Sequence, residues 1–189
     1  MENKKVAVLL ADGFEEGEAL FIVDIMRRAG IGCDMVSIKE EIVEGGHGIT
    51  VKADKLIKDA EKDRYDMIVL PGGLPGADYL RDCEEVIKWV QDFANDNKKY
   101  IAAICAAPQV LAKAGVVKDR KITSYPSEKY RQILKDAQYT EEIVVVDSNI
   151  ITSRGPATTM PFAYKLVEIL DGDSELLKEG MLYNMLISY

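Results

Sequence analysis

Residues 5–38 read KVAVLLADGFEEGEALFIVDIMRRAGIGCDMVSI, and this stretch decides the fold. Lys5–Ala11 is an unbroken apolar run behind its first lysine, Glu16–Ala29 carries apolar residues at helical spacing, and Cys33–Ile38 is a second β-rich run. A strand buried on both faces shows no polar alternation, so two such runs flanking a helix predict a βαβ unit. The same pattern continues outward. Met67–Leu70, Tyr100–Ile104, Ile143–Val146 and Ile150–Thr152 are expected strands, and helical patterns cover about Cys83–Ala94, Pro108–Ala114, Glu128–Leu134, Thr158–Leu170 and Ser174–Leu182. Asp147-Ser148-Asn149 reads as a hairpin turn and Glu44-Gly45-Gly46-His47-Gly48 as a surface turn. Together these elements predict an α/β three-layer sandwich with a mostly parallel sheet.

The chain has 189 residues, 48% hydrophobic and 30% charged, which predicts a single domain over 1–189. Thirty-two acidic residues against 24 basic ones give a charge of -8, which argues against a phosphate-tracking surface, so no nucleic acid partner is expected. No apolar run approaches the ~20 residues of a membrane-crossing helix, and the opening Met1-Glu2-Asn3-Lys4-Lys5 does not lead into a long signal core. A complete cytoplasmic protein without a membrane partner is the expectation. Cys33, Cys83 and Cys105 form no C-x-x-C pair, and His47 is the sole histidine, so neither a disulfide scaffold nor a metal site is expected.

In an open α/β sheet, ligands collect beyond the carboxyl ends of the strands. Four such ends are rich in glycine, proline or acids: Asp12–Glu18, Pro71–Gly76, Cys105–Pro108 and Ser153–Pro156. Cys105 falls between the run Tyr100–Ile104 and a helical pattern with Pro108 in its first turn and Gly115 past its end. A thiol there meets unpaired amides and the positive end of a helix, which predicts a lowered pKa and a thiolate nucleophile. A buried structural cysteine is the competing reading, and it suits Cys33 and Cys83 better.

Glu18 shares its helical stripe with Ile22, Ile25 and Ala29, so its carboxyl lies on or beside the apolar face. Near Cys105 such a group would keep its proton and carry a raised pKa; otherwise it is a first-turn glutamate serving the helix dipole, as Glu15 and Glu16 are expected to be. Pro71-Gly72-Gly73-Leu74-Pro75-Gly76 has more glycine than a plain turn needs. Its Gly73 amide and that of Ala106 form a candidate oxyanion site. A phosphate loop is the alternative, although neither G-x-x-x-x-G-K-[ST] nor G-x-G-x-x-G is present.

Ala11–Glu18, Val69–Gly73, Ile101–Pro108 and Thr152–Pro156, taken in order, resemble the DJ-1/ThiJ/PfpI superfamily, in the branch of the parkinsonism-associated redox protein and its bacterial YajL-type relatives. The resemblance implies a flavodoxin-like fold, a homodimer, a reactive Cys105, a protonated Glu18 partner and an oxyanion pocket at Gly73 and Ala106. Around them it places Gly72, Tyr125, Arg154, Gly155 and Pro156. The chemistry it implies needs no cofactor or metal: a cysteine-dependent enzyme acting on a small carbonyl substrate or glycated protein, with methylglyoxal giving lactate. The alternative is a redox-sensing chaperone whose cysteine becomes a sulfinate.

Two departures stand out. Peptidase-like members place histidine directly after the nucleophile, where this chain has Ala106. The parkinsonism-linked branch carries a histidine where this chain has Tyr125, a poor general base at neutral pH; an aromatic residue at that position is similar to the YajL-type relatives. His47 has two readings, a solvated turn residue or one that approaches the site across the implied dimer interface.

Overall fold

The computed structural model describes residues 4–188, so Met1, Glu2, Asn3 and Tyr189 lie outside it. β1 (Lys5–Leu10), α1 (Glu16–Arg28) and β2 (Gly32–Ser37) form the expected βαβ unit, with Val6 opposite Cys33 in parallel register. A small hairpin of β3 (Ile42–Glu44) and β4 (Thr50–Lys52) follows, then a short β5 (Lys55–Leu56). Next come β6 (Met67–Leu70), α2 (Gly76–Asp82), α3 (Glu84–Asn95), β7 (Tyr100–Ile104) and α4 (Pro108–Lys113). β8 (Lys121–Ile122), α5 (Glu128–Ile133) and β9 (Gln138–Tyr139) precede the antiparallel pair β10 (Val144–Asp147) and β11 (Ile150–Ser153). The helices α6 (Thr159–Ile169), α7 (Ser174–Gly180) and α8 (Tyr183–Ile187) close the chain.

The central sheet runs β10-β11-β7-β6-β1-β2-β5, and every neighbouring pair is parallel except β10 with β11. Alternate residues of β1 serve opposite layers. Val6, Val8 and Leu10 pack with Ile22 and Met26 of α1 and Phe162 of α6, whereas Ala7 and Leu9 pack with Trp89, Val90 and Phe93 of α3 and Leu111 of α4. Both faces of the strand are covered, which is why its sequence shows no polar alternation. The result is one domain with the flavodoxin-like α/β architecture, and the carboxyl ends of β11, β7, β6 and β1 stand side by side.

Three features differ from the sequence reading. α2, which was not among the expected helices, starts at Gly76, the last residue of the glycine- and proline-rich stretch. The expected single helix Ser174–Leu182 stops at Gly180, because Leu182 adopts φ 60°, a left-handed conformation that an α-helix cannot pass through. The turn around His47 joins β3 to β4, a hairpin too short to register as strand pattern. Among the described residues, no helix is long and apolar enough to cross a membrane.

Candidate active site

β7 ends at Ile104 and α4 begins at Pro108, so Cys105, Ala106 and Ala107 make the turn. Cys105 takes φ 62°, a left-handed conformation that costs a residue bearing Cβ on the order of 1 kcal/mol or more. Such strain persists only where the surroundings fix it. The Cys105 N–H donates to the Ser153 carbonyl at 3.1 Å, and the Cys105 carbonyl accepts from the Tyr125 N–H at 2.8 Å. β11 and the loop before α5 therefore hold the turn from two sides.

Glu18, on the inner face of α1, is 0% exposed. Its Oε2 accepts the Gly72 N–H at 2.7 Å, and no conventional partner reaches its buried Oε1. A Cβ added to Gly72 would lie 2.6 Å from Glu18 Oε2, 2.7 Å from the Cys105 Cβ and 3.1 Å from the Ala106 nitrogen. At that point the ends of β6 and β7 meet the start of α1, and a side chain has no room. Gly73 has φ 86°, with the Glu15 nitrogen 2.3 Å from where its Cβ would stand. Only glycine serves there, and the resulting bend turns the Gly73 N–H onto the Cys105 sulfur beside that of Ala106.

Burial pushes the Glu18 carboxyl up to about 7, against the lowering effect of the Gly72 N–H and the Cys105 thiol. This agrees with the sequence expectation. For Cys105 the direction is the reverse of what its place before a helix predicts. Burial raises the thiol, the charge and hydrogen bond of Glu18 raise it further, and the Ala106 and Gly73 N–H groups only partly offset them. The sequence reading counted the amides and a protonated Glu18, and had no measure of the burial of the sulfur. Both Glu18 contributions require an ionised carboxyl, so they vanish whenever Glu18 holds the proton. The two titrations are therefore coupled, and where the pair is singly charged, the place of the charge on sulfur or oxygen is decided by where the proton sits.

Cys105, Glu18, Gly72, Gly73 and Ala106 are thus brought together. Tyr125 is tied to Cys105 through its backbone, but its side chain is 47% exposed. A Cβ at Gly155 would stand 3.7 Å from the Tyr125 ring, while Pro156 opens a short 3-10 turn behind it. Arg154 points its guanidinium to the Glu141 carbonyl at 2.7 Å and bonds nothing at the sulfur. These residues shape the wall beside the turn.

His47 sits on the hairpin loop, with Nδ1 2.8 Å from Glu16 Oε2 and 3.7 Å from Glu15 Oε2. Glu16 stands in the first turn of α1 as expected, but it is only 4% exposed and accepts from the His47 N–H at 2.7 Å. Glu15, Glu16 and His47 bring ligand atoms within 4.8 Å of one another, the one group of this kind among the described residues that could hold a cation. Sequence could not pair residues 31 positions apart. A separate cavity of about 460 Å³ opens at the ends of β1 and β2, lined by Asp12, Ile38, Ile42, Tyr79 and Cys83 but not by Cys105.

Sequence reasoning also missed Tyr130. It lies inside the expected helix, on the side that packs with Ala77 and Ala106 next to Cys105. Gln109, behind the turn, bonds Asp78 and Arg81 and so ties α4 to α2.

Residues 4–169 match the model of the DJ-1/PfpI family. DJ-1 homolog B of Arabidopsis thaliana is 38% identical over 166 residues, 87% of this chain, which spans 37% of that longer protein. A deglycase of Pyrococcus abyssi is 31% identical over 88% of this chain and 99% of its own length. The crystal structure of Drosophila melanogaster DJ-1beta superposes with a TM-score of 0.90 at 37% identity, covering 95% of this chain and 98% of that one. The cysteine turn, the buried glutamate and the glycine pair therefore stand within a chain that belongs to the DJ-1/PfpI family.

Proposed function

We propose that the protein is a cofactor-independent enzyme of the glyoxalase or deglycase type, acting on small vicinal dicarbonyls or their glycated adducts. The observation that carries this reading is the fully buried Glu18 carboxyl, raised to about 7, sharing a pocket with a thiol at a strained turn. The name of the Pyrococcus abyssi relative supports it. Transfer of the shared proton to Glu18 leaves the thiolate facing the Gly73 and Ala106 N–H groups. The thiolate attacks the aldehyde carbon of methylglyoxal, forming a C–S bond while the carbonyl electron pair moves to oxygen. Those N–H groups stabilise the oxyanion, which takes the Glu18 proton and leaves Glu18 ionised as the base for the next step. Glu18 then moves the aldehyde proton to the neighbouring carbon, giving a lactoyl thioester that water hydrolyses to lactate and free thiol. The aldehyde carbon is oxidised and its neighbour reduced, so no external oxidant is needed.

Replacing Cys105 with serine is expected to abolish lactate formation from methylglyoxal. Undiminished turnover would contradict the reading. A second reading, a redox sensor or chaperone, is favoured by the same N–H pair, because two donors and a protonated Glu18 suit the oxygens of a sulfinate. Intact mass after mild peroxide then gains two oxygens on Cys105, with Cys33 and Cys83 spared. A homodimer, a cytoplasmic setting and glycated protein clients belong to this proposal as well.

A further inference from the structure

Three tyrosines are nearly fully buried: Tyr65 at 1%, Tyr164 at 1% and Tyr130 at 5% exposure. A buried phenol normally finds a hydrogen-bond partner, since an unmet hydroxyl costs about 1–3 kcal/mol. Tyr65 donates to Asp34 Oδ2 at 2.7 Å, and Tyr164 donates to the Met181 sulfur at 3.5 Å. The Tyr130 hydroxyl makes no hydrogen bond among the described residues and is not one of the buried polar atoms left without a partner, so it opens to solvent while its ring is packed against Ala77 and Ala106 in the cluster that Cys105 joins. α5 fixes this position, because the Ser127 side chain caps the helix by accepting the Tyr130 N–H. The phenol also feels the charges of Cys105, Asp78 and Arg81, which places it in the electrostatic field of the site.

We infer that Tyr130 is a catalytic hydrogen-bond donor to the second carbonyl oxygen of a vicinal dicarbonyl, and that it selects such substrates over simple aldehydes. This rests on the proposed reaction at Cys105. Once sulfur has bonded to the aldehyde carbon, the first oxygen is served by Gly73 and Ala106, and the ketone oxygen one carbon away still needs a donor. As Glu18 removes the proton from the aldehyde carbon, electrons move onto that ketone oxygen. The Tyr130 O–H stabilises the resulting enediolate and keeps its proton, while Glu18 returns the abstracted proton to the former ketone carbon and the proton on the first oxygen passes to the second, leaving a thioester carbonyl and a hydroxyl. An aldehyde with no second carbonyl leaves the hydroxyl unmet and gains nothing from it. Tyr125, by contrast, is half exposed.

The experiment compares wild type with Tyr130→Phe, which keeps the ring and removes the hydroxyl. Two readouts are taken: lactate formed from methylglyoxal, and protection of Cys105 from iodoacetamide by methylglyoxal against protection by propanal. In wild type, methylglyoxal is expected to protect at concentrations at least tenfold lower than propanal does. In Tyr130→Phe that preference falls to within twofold, kcat for lactate falls by roughly 100-fold, and unprotected alkylation keeps its wild-type rate and pH profile. A merely structural tyrosine would alter the last of these. Retention of the dicarbonyl preference in Tyr130→Phe, or its absence from wild type, overturns the inference. Absent lactate from a wild type that shows the preference, lost in Tyr130→Phe, overturns the glyoxalase reading while leaving the donor role supported. Should Tyr130→Phe melt far below wild type, Tyr130→His, which retains a ring donor, must restore part of the preference, and failure to do so counts against the role.

Discussion

Glu16 and Glu18 stand two residues apart on the first turn of α1, both buried, and their carboxyls are pushed in opposite directions. Burial raises each of them. Glu16 is nonetheless lowered, because the His47 ring, the His47 N–H and the Ile49 N–H all bond it across the β3–β4 loop. Glu18 receives a single backbone donor, from Gly72, and its other neighbour is a thiol that can itself become an anion. Burial sets the cost of charge, and the number of donors decides whether the charge is kept. On one helical turn the chain has thus built a structural anion and a proton reservoir.

Exchanging either carboxyl for an amide breaks the comparison in a different way. Glu18→Gln is expected to lower methylglyoxal turnover by roughly 100-fold or more, with the fold retained by circular dichroism; a loss of stability without loss of turnover would reverse the assignment. Glu16→Gln should do the opposite, costing about 2 kcal/mol through its lost loop hydrogen bonds, or roughly 5 °C in melting temperature, with thiol alkylation little changed. Faster hydrogen exchange at Gly46 and His47 would locate the loss in the hairpin loop.

Stability against pH sharpens the contrast. Glu18 binds its proton more tightly folded than unfolded, so its contribution is most favourable below its ordinary value of 4.5 and declines as pH rises to about 7. The total is about 3 kcal/mol, and Glu18→Gln should gain on wild type in melting temperature across that window. His47 is raised by Glu16, so its contribution is present below 6.5 and lost as pH climbs through the higher folded value. The small melting difference between wild type and His47→Ala should therefore close on the alkaline side. A difference that widens there would show that Glu16 does not hold the imidazolium.

The sheet could be read from sequence because strands covered on both sides leave unbroken apolar runs such as Val6–Leu10 and Met67–Leu70. Residues at the strand ends could be found for the same reason, and Cys105, Glu18, Gly72 and Gly73 do converge. α2 was hidden behind Pro75 because the glycines that shape the site continue into its first turn. The Glu16–His47 contact and the placement of Tyr130 depend on packing between segments far apart in the chain, which no local pattern records. The influences that raise Cys105 escaped the sequence on the same ground: a turn before a helix is visible there, and the burial of its sulfur beside an ionised Glu18 is not.

The most direct test is the pH dependence of Cys105 alkylation in wild type and in Glu18→Gln. If the shared charge rests on sulfur while Glu18 keeps the proton, the wild-type midpoint lies below the ordinary thiol value of about 8.5, and Glu18→Gln moves it up by removing the acid. A wild-type midpoint at or above that value, moving down in Glu18→Gln as a carboxylate charge is lost, would put the charge on Glu18 and contradict the account.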